Sequence, residues 1–168
     1  MQFTNDIGRT QKLMTASPAG IAHRKAIMDN LSLNSESRII DIGCGGGHLL
    51  ELFAKTLGLS VAVYGLDPSE ELIAKARSWC AECETIRLLH SSATEVGIED
   101  ASFNMLNSRQ TLEYIPNVDA ALSECTSIIK GYGGVLEYFN SVGPFPFLWC
   151  RRKTKQKNAR CVQSTLLS

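Results

Sequence analysis

Short blocks of β-branched and apolar residues alternate along this chain with stretches in which apolar residues recur every three or four positions. The blocks are Arg38–Ile42, Val61–Asp67, Thr85–His90 and Val135–Asn140, each of strand length and rich in Ile, Val, Leu or Tyr. Between them, apolar positions 72, 73, 76 and 79 predict a helix from Glu70 to about Cys80. Positions 118, 121, 122, 125, 128 and 129 predict another over Val118–Ile129. Leu49–Lys55 is a run of good helix formers, and Ser17-Pro18 offers an N-cap and first-turn proline to a helix over Ala19–Leu31. Residues 1–16 are polar and aperiodic and read as a flexible lead-in.

One junction organises the rest. Arg38-Ile39-Ile40-Asp41-Ile42 runs into Gly43-Cys44-Gly45-Gly46-Gly47-His48 and then directly into the helix-forming run. Glycines at alternate positions permit a tight turn and close approach of a ligand to the backbone. Strand, glycine turn and helix make one nucleotide-binding half of a doubly wound sheet, with the helix N-terminus turned towards the ligand. The dinucleotide fingerprint G-x-G-x-x-G fails at its last position, where His48 stands. Asp41, at the strand's carboxyl end, would repel a pyrophosphate and attract a cation. Asp67 ends the second strand about 20 residues beyond the turn, where such folds place an acid on ribose hydroxyls. Ser69, two residues on, reads as the cap of the next helix.

On these residues the chain resembles the class I S-adenosylmethionine-dependent methyltransferases, whose first motif reads hydrophobic-hydrophobic-Asp-x-Gly-x-Gly-x-Gly. The resemblance continues through Glu99-Asp100-Ala101-Ser102-Phe103-Asn104, with Asn104 where the family has Asp. It passes through Met105–Pro116 as the fourth strand and its loop, with Leu112-Glu113-Tyr114-Ile115-Pro116 matching Leu-Glu-His-(Ile/Val)-Pro. It ends with Lys130-Gly131-Tyr132-Gly133-Gly134 before the fifth strand. It implies an α/β, Rossmann-like, doubly wound and mostly parallel sheet with helices on both faces, and S-adenosyl-L-methionine as cofactor. It carries the cofactor site onto Asp41, Gly43, Cys44, Gly45, Gly47, Asp67, Pro68, Ser92, Ala93 and Ser108. Ser91-Ser92-Ala93 stands in the register of the family's Gly-Asp-Ala near the adenine; a serine hydroxyl accepts a hydrogen bond without the charge that strengthens it. Arg109 and Tyr114 are the candidates for contact with the reacting groups.

The family's complete domain has seven strands in the order 3-2-1-4-5-7-6, and here 29 residues follow Phe139. Gly143–Trp149 holds two prolines, which argues against a central strand. The expectation is therefore about five strands, lacking the usual final two, with a domain over 17–142 and an irregular Pro/Phe segment and basic disordered tail over 143–168. A fifth strand at the edge would present unpaired backbone groups. Either the Pro/Phe/Trp segment folds over it, or it pairs with a second copy or a partner chain.

The 168 residues and 44% apolar content suit one domain with a sizeable core. Seventeen acids balance seventeen bases overall, but residues 151–168 hold six bases and no acid. No aromatics interleave those bases, so the tail reads as a solubilising segment and nucleic acid is not the expected partner. No stretch has the length of a membrane span, no secretory signal is visible, and six cysteines without such a signal suggest reduced thiols in the cytoplasm. Cys80-x-x-Cys83 lacks the second ligand pair of a zinc site, so no metal is assigned.

The leading reading is transfer of a methyl group to a small-molecule acceptor whose identity the sequence does not give. Alignment on a sulfonium, whose leaving group is neutral, needs no triad. The second reading is a truncated, non-catalytic remnant that binds the cofactor or a protein. A nicotinamide-dependent oxidoreductase is a third, opposed by His48 and Asp41.

Overall fold

The computed structural model describes residues 13, 17, 18, 21, 22, 34–109, 111–129, 135–139, 147–151, 161 and 162, the last three segments by their backbone. Contacts divide the chain into a unit over Met1–Leu33 and one over Asn34–Ser168. Apart from Leu13, the lead-in lies outside the described residues, as does most of the helix expected over Ala19–Leu31. Ser17 is described, and its carbonyl accepts from the Ile21 N–H at 2.9 Å.

In the second unit the elements follow the expected alternation. They are β1 (Arg38–Ile42), α1 (His48–Leu57), β2 (Ala62–Asp67), α2 (Glu70–Trp79), β3 (Ile86–His90), β4 (Met105–Arg109), α3 (Val118–Ile128), β5 (Val135–Phe139), β6 (Phe147–Arg151) and β7 (Cys161–Val162). The sheet order is β3-β2-β1-β4-β5-β6-β7. The first five strands in that order are parallel, and β6 and β7 add antiparallel.

The central strands are buried on both faces, as parallel strands covered by helices must be. Ile40 and Ile42 of β1, Leu66 of β2 and Leu106 of β4 join Phe103 and the α3 residues Ala121, Cys125 and Ile128 in one apolar cluster. The alternation of a strand sends Gly65 to the opposite face, where a methyl group in its place would stand 2.3 Å from Leu50 Cδ1 of α1. Helices thus cover both faces. Burial also pushes the Cys125 thiol up to about 12, so it stays a neutral, small apolar group in this core.

Asn104 extends the β1–β4 ladder where the family has Asp. Its N–H donates to the Arg38 carbonyl at 2.8 Å, and its Oδ1 accepts from the Arg38 N–H at 3.0 Å. An amide oxygen serves that bond without bringing a charge to the strand entrance. The Arg38 guanidinium lies over both the Tyr64 and Phe103 rings, 4.8 and 5.0 Å from their centroids.

One expectation is corrected. The sheet does not stop at five strands: β5 pairs along its length with β6, from Val135 opposite Arg151 to Phe139 opposite Phe147. The two prolines that argued against a strand, Pro144 and Pro146, precede β6 and remove no donor from its ladder. Cys161 and Val162, in the tail expected to be disordered, pair with Cys150 and Trp149. The fifth strand is therefore not an edge: Phe147–Arg151 covers it as a paired strand. The ground for pairing with a second chain through β5 is removed.

Helix caps follow sequence chemistry. Ser69 Oγ accepts from the Leu72 N–H at 3.3 Å to start α2, and Asn117 Oδ1 accepts from the Ala120 N–H at 3.1 Å to start α3. Ser69→Ala is expected to lower stability by about 1 kcal/mol, read as a shifted denaturant midpoint with unchanged slope. No shift would show that the bond does not hold the helix start.

Candidate functional site

The turn between β1 and α1 is built by three glycines with left-handed backbones: Gly43 (φ 77°), Gly45 (φ 54°) and Gly47 (φ 84°). Their reasons for being glycine differ. A Cβ on Gly43 would stand 2.1 Å from Thr111 Oγ1 in the loop after β4, and one on Gly47 2.9 Å from Cys80 Sγ and 3.0 Å from Ala76 Cβ of α2. Both are packed against the rest of the domain. A Cβ on Gly45 would meet nothing within 4 Å. Gly45 therefore faces open space.

The turn is also hydrogen-bonded into shape. The Gly43 and Cys44 N–H groups both donate to the Leu66 carbonyl, at 2.7 and 3.0 Å. The Gly45 N–H donates to Asp67 Oδ2 at 2.9 Å, and Asp67 Oδ1 accepts from the Ser69 N–H at the same distance. One buried carboxylate thereby ties the glycine turn to the start of α2. Three N–H groups of the turn are thereby used to fix the loop beforehand, a form of preorganisation.

Asp41, the second acid, is buried in β1, and Asn107 stands directly opposite it in β4. The Asn107 amide donates to Asp41 Oδ1 at 2.5 Å. The next residue, Ser108, is fully buried, and its hydroxyl donates to the Ile42 carbonyl at 3.3 Å. Burial, with the Asp41 and Asp67 carboxylates nearby, pushes the Cys44 thiol far up, so it is a neutral lining group and not a nucleophile.

The remaining predicted residues divide. Asp41, Gly43, Cys44, Gly45, Gly47, Asp67 and Pro68 are brought together around the carboxyl ends of β1 and β2. The Pro68 carbonyl is 3.0 Å from His90 Nε2. Ser92 Oγ lies 2.9 Å from Thr94 Oγ1 and also accepts from the Thr94 N–H, so the hydroxyl is used inside its own turn. The Ala93 methyl is in the apolar cluster beneath α3. Arg109 ends β4, where its carbonyl accepts from Thr111 Oγ1 at 3.0 Å, and Tyr114 projects from a single 3-10 turn, Leu112–Tyr114, with 48% of its surface exposed.

His48 begins α1 and meets the Trp79 ring edge-on at 4.3 Å between centroids, while Trp79 Nε1 donates to Glu51 Oε2 at 2.8 Å. It packs between helices, as a polar helix-start residue would. Cys80 is buried against the Gly47 carbonyl, 3.5 Å away, and its thiol is pushed up to about 11 by burial. Cys80 thus ends α2 and supports the turn. Thr111, Ala76 and Cys80, which shape the glycine turn, carry no local signal for that role in sequence, because each acts from a distant element.

Comparison with known proteins adds to this geometry. A family model described as Methyltransferase domain matches residues 33–166. The demethylmenaquinone methyltransferase of Staphylococcus aureus is 28% identical over 113 residues, which are 67% of this chain and 47% of that protein. The chain spans about half the length of the curated relatives it matches. Among solved structures, the YcgJ protein of Bacillus subtilis superposes with a TM-score of 0.60 at 25% identity, over 70% of this chain and 50% of that one. A SAM-dependent methyltransferase of Aquifex aeolicus superposes with a TM-score of 0.64 at 18% identity, over 86% of this chain and 80% of that one, and so shares the fold.

Proposed function

We propose that this chain, which belongs to the methyltransferase-domain family and has S-adenosylmethionine as its cofactor, transfers a methyl group to a small-molecule acceptor. The observation that carries the reading is the open space at Gly45, beside the Asp67 carboxylate and at the end of a strand that holds a second acid, Asp41. Two buried carboxylates around a glycine turn suit a ligand with cationic groups and hydroxyls, and oppose a pyrophosphate.

In this reading Asp67 accepts the ribose hydroxyls. An ionised carboxylate has about four acceptor directions, so two backbone bonds leave capacity for two more. Asp41 faces the cofactor's ammonium end. Gly43, Cys44, Gly45 and Gly47 supply the surface on which the ligand lies. Pro68, Ser92 and Ala93 border the adenine; with the Ser92 hydroxyl used by Thr94 and the Ala93 methyl in the core, they serve through backbone and shape.

Bound S-adenosylmethionine supplies an activated methyl group whose departure leaves a neutral thioether. The protein's part is then chiefly to align the acceptor and exclude water. Arg109 and Tyr114, at and after the end of β4, are the residues we place on the acceptor side, while Ser108, with its buried hydroxyl held by the Ile42 carbonyl, shapes the cofactor side. Tyr114 and Val118 are large apolar side chains left exposed there. Together with the acceptor for which the Staphylococcus relative is named, this favours a ring compound of the quinone/quinol class as the acceptor.

The test is transfer of isotope-labelled methyl from S-adenosylmethionine to a panel of quinols, phenols, amines and carboxylic acids. Label entering the quinols or phenols supports the reading. Cofactor binding with no label in any acceptor would favour a non-catalytic cofactor-binding protein.

A further inference from the structure

Asp41 and Asn107 form a buried polar pair on the two central strands, β1 and β4. Each is 3% exposed, they are direct partners in the β1–β4 register, and the amide-to-carboxylate distance is 2.5 Å. Their neighbours Ile39, Ile40, Ile42, Met105 and Leu106 are all buried and apolar. A carboxylate in such surroundings is costly unless its orientation and hydrogen bonds are fixed. If packing alone mattered, two apolar residues of similar volume would serve at least as well. An amide is the one short planar side chain that donates to a carboxylate while bringing no charge of its own.

We propose that Asn107 is a positioning residue: its amide holds the Asp41 carboxylate at the entrance to the glycine turn, where that charge binds the cofactor's ammonium group. This rests on reading the turn as the S-adenosylmethionine site. Asn107 does not touch the ligand in this account. It acts through Asp41, two residues before Gly43, and sets how the amino-acid end of the cofactor is held.

Two ligands and one exchange of residues separate this role from a structural one. S-adenosylhomocysteine and 5′-methylthioadenosine share the nucleoside and thioether, and only the former carries the ammonium and carboxylate. Asn107→Ser is expected to weaken S-adenosylhomocysteine by about tenfold, the scale of one charge-assisted bond, and to leave 5′-methylthioadenosine within about twofold. The paired exchange Asp41→Asn with Asn107→Asp keeps the buried hydrogen bond and the net charge but moves the carboxylate one strand over. It is expected to recover the melting temperature lost in Asn107→Ser without recovering affinity for S-adenosylhomocysteine.

A parallel fall in affinity for both ligands, or recovery of S-adenosylhomocysteine binding in the exchanged pair, overturns the proposal. If the unaltered protein binds neither ligand, the reading of the site falls first and the proposal with it. Should Asn107→Ser fail to fold, the exchanged pair alone decides, through its affinities for the two ligands.

Discussion

Replacing Gly45 by valine is expected to abolish binding of S-adenosylhomocysteine by a protein that still melts cooperatively. The residue has φ 54°, so a β-branched side chain adds about 1–3 kcal/mol of backbone strain. Against a typical domain stability of about 5–15 kcal/mol, that is tolerable. Beyond its chain neighbours no atom lies within 4 Å of the new Cβ, so the added Cβ meets no packed part of the fold. The valine methyls instead enter the open space in which we place the ligand. Gly43 is the contrast: there an added methyl would meet Thr111 Oγ1 at 2.1 Å, and the loss should appear in stability before it appears in binding. Calorimetric titration of folded Gly45→Val is the check. Wild-type affinity would mean that the ligand lies elsewhere.

Asp67→Ala carries the second-largest effect, and it has two parts. The variant strips the acceptor from two backbone donors, Gly45 N–H and Ser69 N–H. Stability should fall by about 1–3 kcal/mol, the range for partly buried groups left unsatisfied. Loss of charge-assisted bonds to the ribose should separately weaken the cofactor by about 1.5–3 kcal/mol, or roughly 10–150-fold. Asp67→Asn keeps an acceptor oxygen for the turn but not the charge. Its stability should lie nearer the unaltered protein, with affinity still reduced. Denaturant titration and calorimetry on the same samples separate the two parts. Unchanged affinity in a folded Asp67→Ala protein would remove the ribose assignment and leave Asp67 as a brace of the turn.

What was legible in sequence was local. From β1 through α2, strand, turn, helix, strand and cap follow one another within about forty residues, and each is announced by residue types that act on their own neighbourhood: Ile39–Ile42, the alternate glycines, Asp67, Ser69. The sixth strand was missed because prolines 144 and 146 were counted against the apolar run that follows them, although they only precede it. The division of labour among the glycines was not legible either. That Gly43 and Gly47 are packed while Gly45 is open depends on Thr111, Ala76 and Cys80, which reach the turn from other elements. Likewise Ser92 and Ala93 stand in the register of an adenine contact, but their side chains are claimed by a local turn and by the core. A register gives position along the chain; it does not say which neighbour a side chain will find. Asn107 illustrates the same limit, since its meaning comes from Asp41 across the β1–β4 register.

The most direct test of the account is calorimetric titration of the unaltered protein with S-adenosylhomocysteine, with NAD as the control. The account predicts micromolar binding of S-adenosylhomocysteine, about 8 kcal/mol, and none of NAD, which the carboxylates at the strand ends oppose. Binding of NAD in place of S-adenosylhomocysteine, or of neither ligand by a cooperatively folded protein, would contradict it.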